Sequence, residues 1–551
     1  MPTIEFNKDD LMELLGTELS DSELENKLTE IGVELEDIED DKVEVETTSD
    51  RIDLLGVEGI ARSLDTYTNE KGLKKYFITE EGLTLKDKGV EVRPKIVGAV
   101  VRNIEMTTPA LKSLIQLQEK LHGTFGRDRS KVSIGVHDIK ELKFPLKYEE
   151  ADPDSESFVP LGKDEEMTLR EITKKHDKGK SYGSIVSNAG KWPILKDADG
   201  KVLSFPPVIN GVITEVTEGT TDVFLDVTGT DLEAVEYALN VLVTTLAERN
   251  GEIHEVELVK DGERSSFPNL RPKEFEVDKE FVEKTIGIEI SEDELEKYLN
   301  RMGHNLVDDE GKKVVKVPSF RADILHQVDI VEDVAIGYGY SNIEPELPNV
   351  STIGSKDELE SFTDVARELM VGLGYQEIMN PTIRNKKVLK DYMILDSSED
   401  LLEIKEPVSE KYTSVRDSLL PQLLETLSKN THNKYPQNIF EAADTLKKDD
   451  EKPYKASSDK KLGTVSAGKN SDYNSITSEL KGFMDGLGTS FSLKESSKKF
   501  LIQGRCAEIM VGGKSVGVVG EIHPQVLGNF GIETPVSAFE VNLSKVKELE
   551  E

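Results

Sequence analysis

The sequence has very few of the residues that build disulfide-bonded or cysteine-based metal proteins. Cys506 is the only cysteine among 551 residues, which excludes a disulfide framework and a zinc site held by several cysteines. No apolar run approaches the roughly 18 residues of a membrane-spanning helix, and the N-terminus has no basic segment followed by an apolar one. We therefore expect a cytoplasmic protein without a membrane-spanning segment.

Aromatic and basic residues are also scarce. Aromatic residues make up 6%, and 69 basic residues stand against 107 acidic ones, for a net charge of −38. Such a charge repels a nucleic-acid backbone unless a partner supplies basic groups, which argues against a free-standing nucleic-acid binder. Two explanations of the acidity stay open. One is an ordinary solvated surface, and the other is a host with high internal salt, where salt screens the repulsion between carboxylates.

The chain contains an internal repeat. LLGTELSDSELENKLTEIG at 14–32 matches TIGIEISEDELEKYLNRMG at 285–303. Each copy has a Ser-x-x-Glu capping box at a helix start and a glycine, Gly32 or Gly303, where a helix end favours a left-handed residue. Because both copies continue into strand-like segments that share Arg-x-Asp, we interpret them as a duplicated winged or helix-turn-helix-like unit.

The remaining segments complete a four-domain prediction. Several strand-like runs and two helical runs lie between the copies and predict an α+β domain. The Pro- and Ser-containing segment after the second copy indicates a linker, and the rest alternates strands with helices. We predict an α+β multidomain protein with domains at 1–87 (first copy), 88–265 (α+β), 269–345 (second copy) and 356–551.

Familiar catalytic motifs are missing. The chain has no GxxxxGK[ST] loop, no GxGxxG after a strand, no HExxH and no nucleophile elbow. Its eight histidines are scattered without the spacing of metal ligands. We interpret His137, in SIGVHDI, as a hydrogen-bonded core histidine rather than a catalytic one. A conventional hydrolase or zinc enzyme is therefore not expected.

Four carboxylates in the second copy form a candidate metal site. Asp329, Glu332 and Asp333 are spaced i, i+3 and i+4, which places them on one face of a helix, and Asp323 precedes that helix. Oxygen ligands of this kind suit a hard divalent cation such as Mg²⁺. In a chain this acidic, a solvated acidic face is the alternative.

These residues lie in a segment that resembles a known family. SFRADILHQVDIVEDVAIGYGYSNIEP resembles the signature of the phenylalanyl-tRNA synthetase β subunit. DRIDLLGVEGIARSL is similar to the N-terminal signature of that family. PPVINGVITEVTEGTTDVFLDVTGTD is similar to its archaeal and eukaryotic editing domain, and GEIHPQVLGNFGIETPVSAFEVNL to its class II synthetase-like domain, which is built on an antiparallel sheet.

The resemblance implies a division of labour between two subunits. It implies that the four carboxylates bind magnesium at the contact with an α subunit, in an (αβ)₂ heterotetramer that uses ATP to charge tRNA(Phe). Class II synthetases clamp ATP with two motif arginines, but QNIFEAADTL at 437–446 and GIETPVSAFEVNL at 531–543 contain none. The resemblance therefore implies that 356–551 is catalytically silent and that the α subunit activates phenylalanine.

The resemblance also implies that 88–265 hydrolyses mischarged Tyr-tRNA(Phe). An apolar pocket rejects an added hydroxyl poorly, so a second, polar site is needed. The candidate residues are Ser204, Asn210, Asp226 and Thr228, of which the last two share a strand face by alternation. The alternative for those two is that they only satisfy a turn before Gly229.

The predicted function is that of a phenylalanine–tRNA ligase β subunit (EC 6.1.1.20). The alternative, from another class, is a non-catalytic nucleic-acid-binding or scaffold protein built on the two helix-turn-helix-like units. The absence of a basic stripe on either copy speaks against that alternative.

Overall fold

The structure, a computed structural model, describes residues 1–39, 41–309, 311–396 and 401–550. The chain divides into two compact units, Met1–Leu347 and Pro348–Glu551. The division falls within the Pro- and Ser-containing segment at 345–355. Within the described ranges, none of the helices has the length together with the apolar composition that spanning a bilayer requires.

The N-terminal part of unit 1 combines a three-stranded sheet with three helices. The elements are β1 (Thr3–Asn7), α1 (Lys8–Leu15), α2 (Asp21–Glu30), β2 (Glu34–Glu39), β3 (Lys42–Glu46) and α3 (Val57–Asn69), with sheet order β1-β3-β2. The helix α2 begins at the predicted capping box, in which Ser20 and Glu23 satisfy each other's backbone N–H groups. Gly32 follows its end with a φ of +79°, which favours glycine.

A ten-stranded mixed sheet fills the middle of unit 1. Its strands, two short accessory strands and four helices are β4 (Ile78–Asp87), β5 (Lys95–Arg102), α4 (Thr108–Gly123), β6 (Val132–Asp138), β7 (Leu146–Ala151), β8 (Ser157–Phe158), β9 (Met167–Thr168), α5 (Leu169–Lys175), α6 (Asp177–Tyr182), β10 (Trp192–Lys196), β11 (Val202–Phe205), β12 (Ile209–Asn210), β13 (Val223–Gly229), α7 (Leu232–Ala247), β14 (Glu252–Lys260) and β15 (Glu263–Phe267). The sheet order is β12-β11-β10-β7-β4-β14-β5-β13-β6, and β15 pairs with β14.

The helices α4 and α7 cover one face of this sheet. Alternate residues of β13, Val223, Leu225 and Val227, point into the core beneath these helices, whereas Phe224 packs in a second core on the opposite face. Strand β4 differs from the sequence prediction, because it pairs with β14 and β7 although it lies before residue 88. Its sequence ITEEGLTLKD is rich in charged residues and mostly exposed in the first half, so it lacks the regular apolar alternation that predicts a strand.

The C-terminal part of unit 1 repeats the N-terminal topology. The elements are β16 (Lys273–Glu276), α8 (Lys279–Ile286), α9 (Glu292–Arg301), β17 (Asn305–Asp309), β18 (Lys312–Val317) and α10 (Gln327–Tyr338), with sheet order β16-β18-β17. Ser291 and Glu294 form the second capping box, and Gly303 has the same φ of +79° as its counterpart. The two predicted copies thus share their order of elements, their sheet order and their helix caps.

Unit 2 is built around a seven-stranded sheet. The elements are α11 (Glu358–Gly372), β19 (Gln376–Glu377), β20 (Ile383–Arg384), β21 (Ser414–Val415), α12 (Leu420–Lys429), β22 (Gln437–Lys448), β23 (Ala456–Ala467), α13 (Tyr473–Leu487), β24 (Ser492–Glu495), β25 (Leu501–Val511), β26 (Lys514–Ile522), α14 (Pro524–Phe530), β27 (Val536–Asn542) and α15 (Leu543–Glu550). The sheet order is β19-β22-β23-β27-β26-β25-β24, antiparallel except for β19 with β22. Helices α11, α13 and α15 pack on one face, and α12 and α14 on the other.

Candidate functional site

A cavity of about 360 Å³ lies where the two ends of the large sheet, β12–β11 and β13–β6, approach each other. Three of the four predicted editing residues, Ser204, Asn210 and Asp226, contribute to its wall. Arg129 and Lys178 also line it, so that cationic groups and a carboxylate face the same space. The structure therefore brings most of the predicted residues together around one polar cavity.

Asp226 sits in the middle of β13 with a glycine beside it on each neighbouring strand. Gly98 of β5 and Gly135 of β6 are its register partners. A Cβ atom at position 135 would lie 1.9 Å from Asp226 Oδ2, so only glycine leaves room for the carboxylate. Oδ2 lies 2.8 Å from His137 Nε2, and the whole side chain is buried.

Ser204 and Asn210 face each other across the β11–β12 pair. The Asn210 amide donates to the carbonyl oxygen of Val136 at 3.2 Å. The Ser204 hydroxyl is buried and has no hydrogen-bond partner among the described residues. A buried polar group without a partner costs about 1–3 kcal/mol. Ser204 Oγ is therefore a polar group that a ligand or a water molecule in the cavity can satisfy.

Thr228 lies on the same strand face as Asp226 but is not among the residues that line the cavity. Arg93 Nε donates to Thr228 Oγ1 at 3.3 Å, and Arg93 Nη2 donates to the Thr228 carbonyl oxygen at 2.7 Å. Burial lowers the pKa of Arg93 to about 10. Thr228 thus belongs to a hydrogen-bonded layer behind the cavity wall, and sequence reasoning missed Arg93 because no local motif marks it.

Arg129 is a second functional candidate that the sequence did not reveal. It ends a run of three non-glycine residues with positive φ, at 127–129, a conformation that costs free energy and is found most often near functional sites. Its Nη1 donates to the carbonyl oxygens of Pro207 and Val208 at 3.2 and 3.1 Å, and its guanidinium stacks over Tyr182. Arg129 therefore fixes one wall of the cavity.

Two of the four predicted metal ligands contact one arginine in the second repeat. Arg321 Nη2 lies 2.6 Å from Asp323 Oδ2 and 2.8 Å from Asp333 Oδ2, and His304 Nε2 also bonds Asp333. Burial alone would raise the pKa of Asp333, but Arg321 and His304 outweigh burial and hold that pKa well below its ordinary range. Two of the four carboxylates are thus held in place by one buried guanidinium.

The other two predicted ligands behave differently. Asp329 Oδ2 accepts hydrogen bonds from the backbone N–H groups of Leu325 and His326, both at 2.7 Å, and so caps α10. Glu332 has no hydrogen bond or ion pair in the described part of the chain. Burial, followed by the nearby Asp333 carboxylate, raises its pKa. Glu332 is therefore a partly buried carboxylate among other carboxylates, without a cationic partner among the described residues.

The four carboxylates are not drawn into one compact cluster. Within the described ranges, the group of carboxylates whose oxygen atoms lie within 4.8 Å of one another is Glu34, Glu36 and Glu46. Because Arg321 engages two of the predicted ligands and the α10 backbone a third, their oxygens point at different partners. An ionised carboxylate has about four acceptor positions, so each retains the capacity to coordinate a hard cation.

In unit 2 the cationic side chains near β22 are neutralised by carboxylates. A cavity of about 480 Å³ is lined by three cations. Their partners are Glu377 for Arg367 (3.0 Å), Glu441 for Arg416 (2.7 Å) and Asp444 for Lys460 (3.1 Å). Cations that already form ion pairs with protein carboxylates are poorly placed to bind a triphosphate.

The second face of the unit 2 sheet is filled by leucine side chains. Leu419, at the start of α12, and Leu423 within it are fully buried, and they approach Gly463 of β23 so closely that a Cβ there would lie 2.8 Å and 3.1 Å from them. This packing covers the β22–β23–β27 surface opposite α11, α13 and α15. A ligand could lie on that surface only by displacing the leucines.

Comparison with known proteins assigns the chain segment by segment. Residues 1–70 match the Phe-tRNA synthetase beta subunit B1 domain, 92–259 the B3/4 domain, 275–340 the tRNA synthetase B5 domain, and 343–543 the phenylalanyl tRNA synthetase beta chain CLM domain. The phenylalanine–tRNA ligase beta subunit of Pyrococcus furiosus is 42% identical over 98% of this chain and 99% of its own length. The chain belongs to the phenylalanyl-tRNA synthetase β-subunit family.

Two further relatives extend this family assignment. The beta subunit of Methanocaldococcus jannaschii is 40% identical over 98% of this chain and all of its own length. A solved N-terminal fragment of the Pyrococcus horikoshii beta subunit is 40% identical, covers 61% of this chain and 99% of the fragment, and superimposes with a TM-score of 0.60. Within this family assignment, the cavity residues fall in the B3/4 match and the four carboxylates in the B5 match.

Proposed function

We propose that this chain is the β subunit of a phenylalanine–tRNA ligase (EC 6.1.1.20), which attaches phenylalanine to tRNA(Phe) with ATP. This proposal rests on the sequence identity of 40–42% to proteins of that name, over nearly the full length of this chain and of each relative. The chain acts with a separate α subunit in a cytoplasmic (αβ)₂ heterotetramer. The α subunit supplies ATP binding and amino-acid activation, because the three cations that line the cavity near β22 are paired with carboxylates and the second sheet face of unit 2 is filled.

Reconstitution with an α subunit tests this proposal. The chain alone, the α subunit alone and the two together are assayed for phenylalanine-dependent ATP–pyrophosphate exchange and for charging of tRNA(Phe). We expect exchange and charging only in samples that contain the α subunit, and full charging only in the mixture. Exchange by the pure chain contradicts the assignment of activation to the α subunit.

The alternative of a nucleic-acid-binding scaffold has less support. Exposed positions of the first turn carry acidic residues in both helices, Asp21 and Glu23 in α2 and Glu292, Asp293 and Glu294 in α9. These carboxylates repel phosphate groups. Contacts with tRNA are therefore assigned mainly to the α subunit.

We also propose that the cavity in the large sheet hydrolyses Tyr-tRNA(Phe). Water attacks the ester carbonyl carbon, and the bond between that carbon and the ribose oxygen breaks. The ribose oxygen takes one proton of the water and becomes a hydroxyl, and tyrosine leaves as a carboxylate while the second proton is released to solvent. Asp226 accepts a hydrogen bond from the phenol O–H, which phenylalanine lacks, and Ser204 supplies a further polar contact. A site that hydrogen-bonds an added hydroxyl discriminates far better than an apolar pocket.

Hydrolysis of preformed ester tests the editing proposal. Asp226→Ala in the assembled enzyme is expected to leave Tyr-tRNA(Phe) intact while phenylalanine charging continues. Thr228→Val provides the comparison, since it loses one hydrogen bond to Arg93 behind the wall and is expected to slow hydrolysis less. Unchanged hydrolysis by both variants would move the editing site elsewhere in the domain.

We propose that Asp323, Asp329, Glu332 and Asp333 hold Mg²⁺ at the contact with the α subunit. All four offer the hard oxygen donors that Mg²⁺ favours. Burial first, and then the neighbouring carboxylates, raise the pKa of Glu332, and a bound cation would offset both effects. When bound, the ion supplies compensating positive charge. Arg321 orients Asp323 and Asp333, and the α10 N-terminus orients Asp329.

A further inference from the structure

We infer that His137 is a positioning residue for tyrosine recognition in the cavity, because it fixes the carboxylate of Asp226 from behind. This inference rests on the proposed hydrolysis of Tyr-tRNA(Phe). His137 itself is not among the residues that line the cavity, so it acts through Asp226 and not on the substrate.

Both ring nitrogens of His137 are engaged in the interior of the domain. Nε2 lies 2.8 Å from Asp226 Oδ2, and Nδ1 lies 2.7 Å from Thr214 Oγ1. The imidazole is fully buried on β6, and Thr214 is buried in the turn at 212–214. These three side chains form a hydrogen-bonded row that ends at the cavity wall.

The row determines which ring nitrogen donates to Asp226. An ionised carboxylate only accepts hydrogen bonds, so Nε2 carries a proton. In one arrangement, Thr214 Oγ1–H donates to Nδ1, and the imidazole is neutral. In the other, Thr214 Oγ1–H donates to the Gly211 carbonyl oxygen at 3.3 Å, and Nδ1–H donates to Thr214 Oγ1. In both arrangements Nε2–H points at Asp226, and the ring cannot turn without breaking two buried hydrogen bonds.

This arrangement leaves one carboxylate oxygen for a ligand. Oδ2 is occupied by His137, whereas Oδ1 accepts no hydrogen bond from the described residues, and Asp226 lines the cavity. With Oδ2 fixed, Oδ1 has one orientation and stays an acceptor, which is what recognition of a phenol O–H requires. Gly135 makes the arrangement possible, because a Cβ there would lie 2.7 Å from His137 Nε2.

The experiment compares His137→Leu with His137→Gln in the assembled enzyme. Leucine fills the space without a donor, whereas the glutamine amide can place an N–H near the position of Nε2. His254→Gln on β14 of the same sheet is the matched control, because His254 does not line the cavity or contact Asp226. Hydrolysis of Tyr-tRNA(Phe) and Phe-tRNA(Phe) is measured, with phenylalanine charging as the check on folding and assembly.

We expect His137→Leu to lower kcat/KM for Tyr-tRNA(Phe) hydrolysis by about 10- to 100-fold and to reduce the preference for the tyrosyl ester. His137→Gln should regain most of the loss, and His254→Gln should match the unchanged enzyme. If His137→Leu fails to assemble, Thr214→Val carries the test, since it removes the group that holds Nδ1, and a several-fold loss supports the inference.

The outcomes separate the inference from the proposed function. No hydrolysis of Tyr-tRNA(Phe) by the unchanged enzyme overturns both. Loss of hydrolysis in Asp226→Ala together with full hydrolysis in His137→Leu overturns the inference alone. Equal losses in the leucine and glutamine variants also overturn it, because packing and not hydrogen bonding would then explain the effect.

Discussion

Replacing Leu423 with alanine tests whether leucine packing closes the second sheet face of unit 2. Leu423 is fully buried on α12 and contacts β23 near Gly463. Alanine is the best helix former, so the substitution keeps α12 and removes only the packed atoms. The exposed Val365 of α11 provides a matched control as Val365→Ala.

The expected loss of stability follows from burial. A fully buried leucine truncated to alanine typically costs about 2–5 kcal/mol, and more when the surroundings cannot collapse. The sheet beneath Leu423 is held by continuous pairing of β22, β23 and β27, so we expect a value in the upper half of that range. The exposed Val365→Ala is expected to change the free energy of unfolding by no more than about 0.5 kcal/mol.

Hydrogen exchange measured by mass spectrometry in the isolated chain resolves this effect by peptide. Peptides of β22 and β23 should lose protection in Leu423→Ala and keep it in Val365→Ala. Neither variant should gain ATP–pyrophosphate exchange, since the cations that line the cavity near β22 remain paired with carboxylates. Unchanged protection in Leu423→Ala refutes the claim that this residue fills the face.

Three further outcomes are expected. The double variant Asp329→Asn, Glu332→Gln should associate more weakly with the α subunit and lose the rise in Tm that Mg²⁺ gives the unchanged chain; normal association and an unchanged rise would mean a solvated acidic face. Ser204→Ala should raise the free energy of unfolding, measured by urea titration, by up to about 1 kcal/mol, because a buried unpartnered hydroxyl is removed. The same variant should hydrolyse Tyr-tRNA(Phe) more slowly. A lower free energy of unfolding contradicts this expectation. Burial, and then Arg129, hold the pKa of His122 well below its usual range, so the free energy of unfolding falls as the pH drops below about 6.5, by up to about 1.4 kcal/mol per pH unit. The variant His122→Gln should lose less stability than the unchanged chain between pH 7 and pH 5. An identical pH dependence of the two proteins argues against this.

Local chemistry explains why the repeat could be predicted from sequence. The capping box at Ser20 and its counterpart at Ser291 act over three residues, and the glycines that follow both helices have the expected left-handed backbone. Such features depend on neighbouring residues alone, so they are visible in one sequence. The four-domain division, which depends on long-range pairing, stays a prediction.

Strand β4 and Arg93 show what a single sequence does not reveal. Strand β4 owes its place to β7 and β14, which follow it along the chain, and its charged residues carry no strand pattern. Arg93 reaches the carbonyl oxygens of Thr228 and Arg129, contacts that no spacing rule predicts. Alternation predicted that Asp226 and Thr228 share a face, but not that only Asp226 lines the cavity.

His137 illustrates the same limit at the candidate site. The sequence indicated a hydrogen-bonded core histidine, and the structure shows a fully buried imidazole with both nitrogens bonded. Its partner Asp226 lies 89 positions away. Strand pairing of β6 with β13 brings them together, and pairing between distant strands is the part of a fold that local patterns specify least.

Parallel charging of tRNA(Phe) with phenylalanine and with tyrosine tests the central claim most directly. The α subunit is combined with the unchanged chain or with its Asp226→Ala variant, and both aminoacyl esters are quantified. We predict that both assemblies accumulate Phe-tRNA(Phe) and that only the variant accumulates Tyr-tRNA(Phe). Failure of the unchanged chain to support phenylalanine charging with the α subunit, or equal Tyr-tRNA(Phe) in both assemblies, contradicts the account.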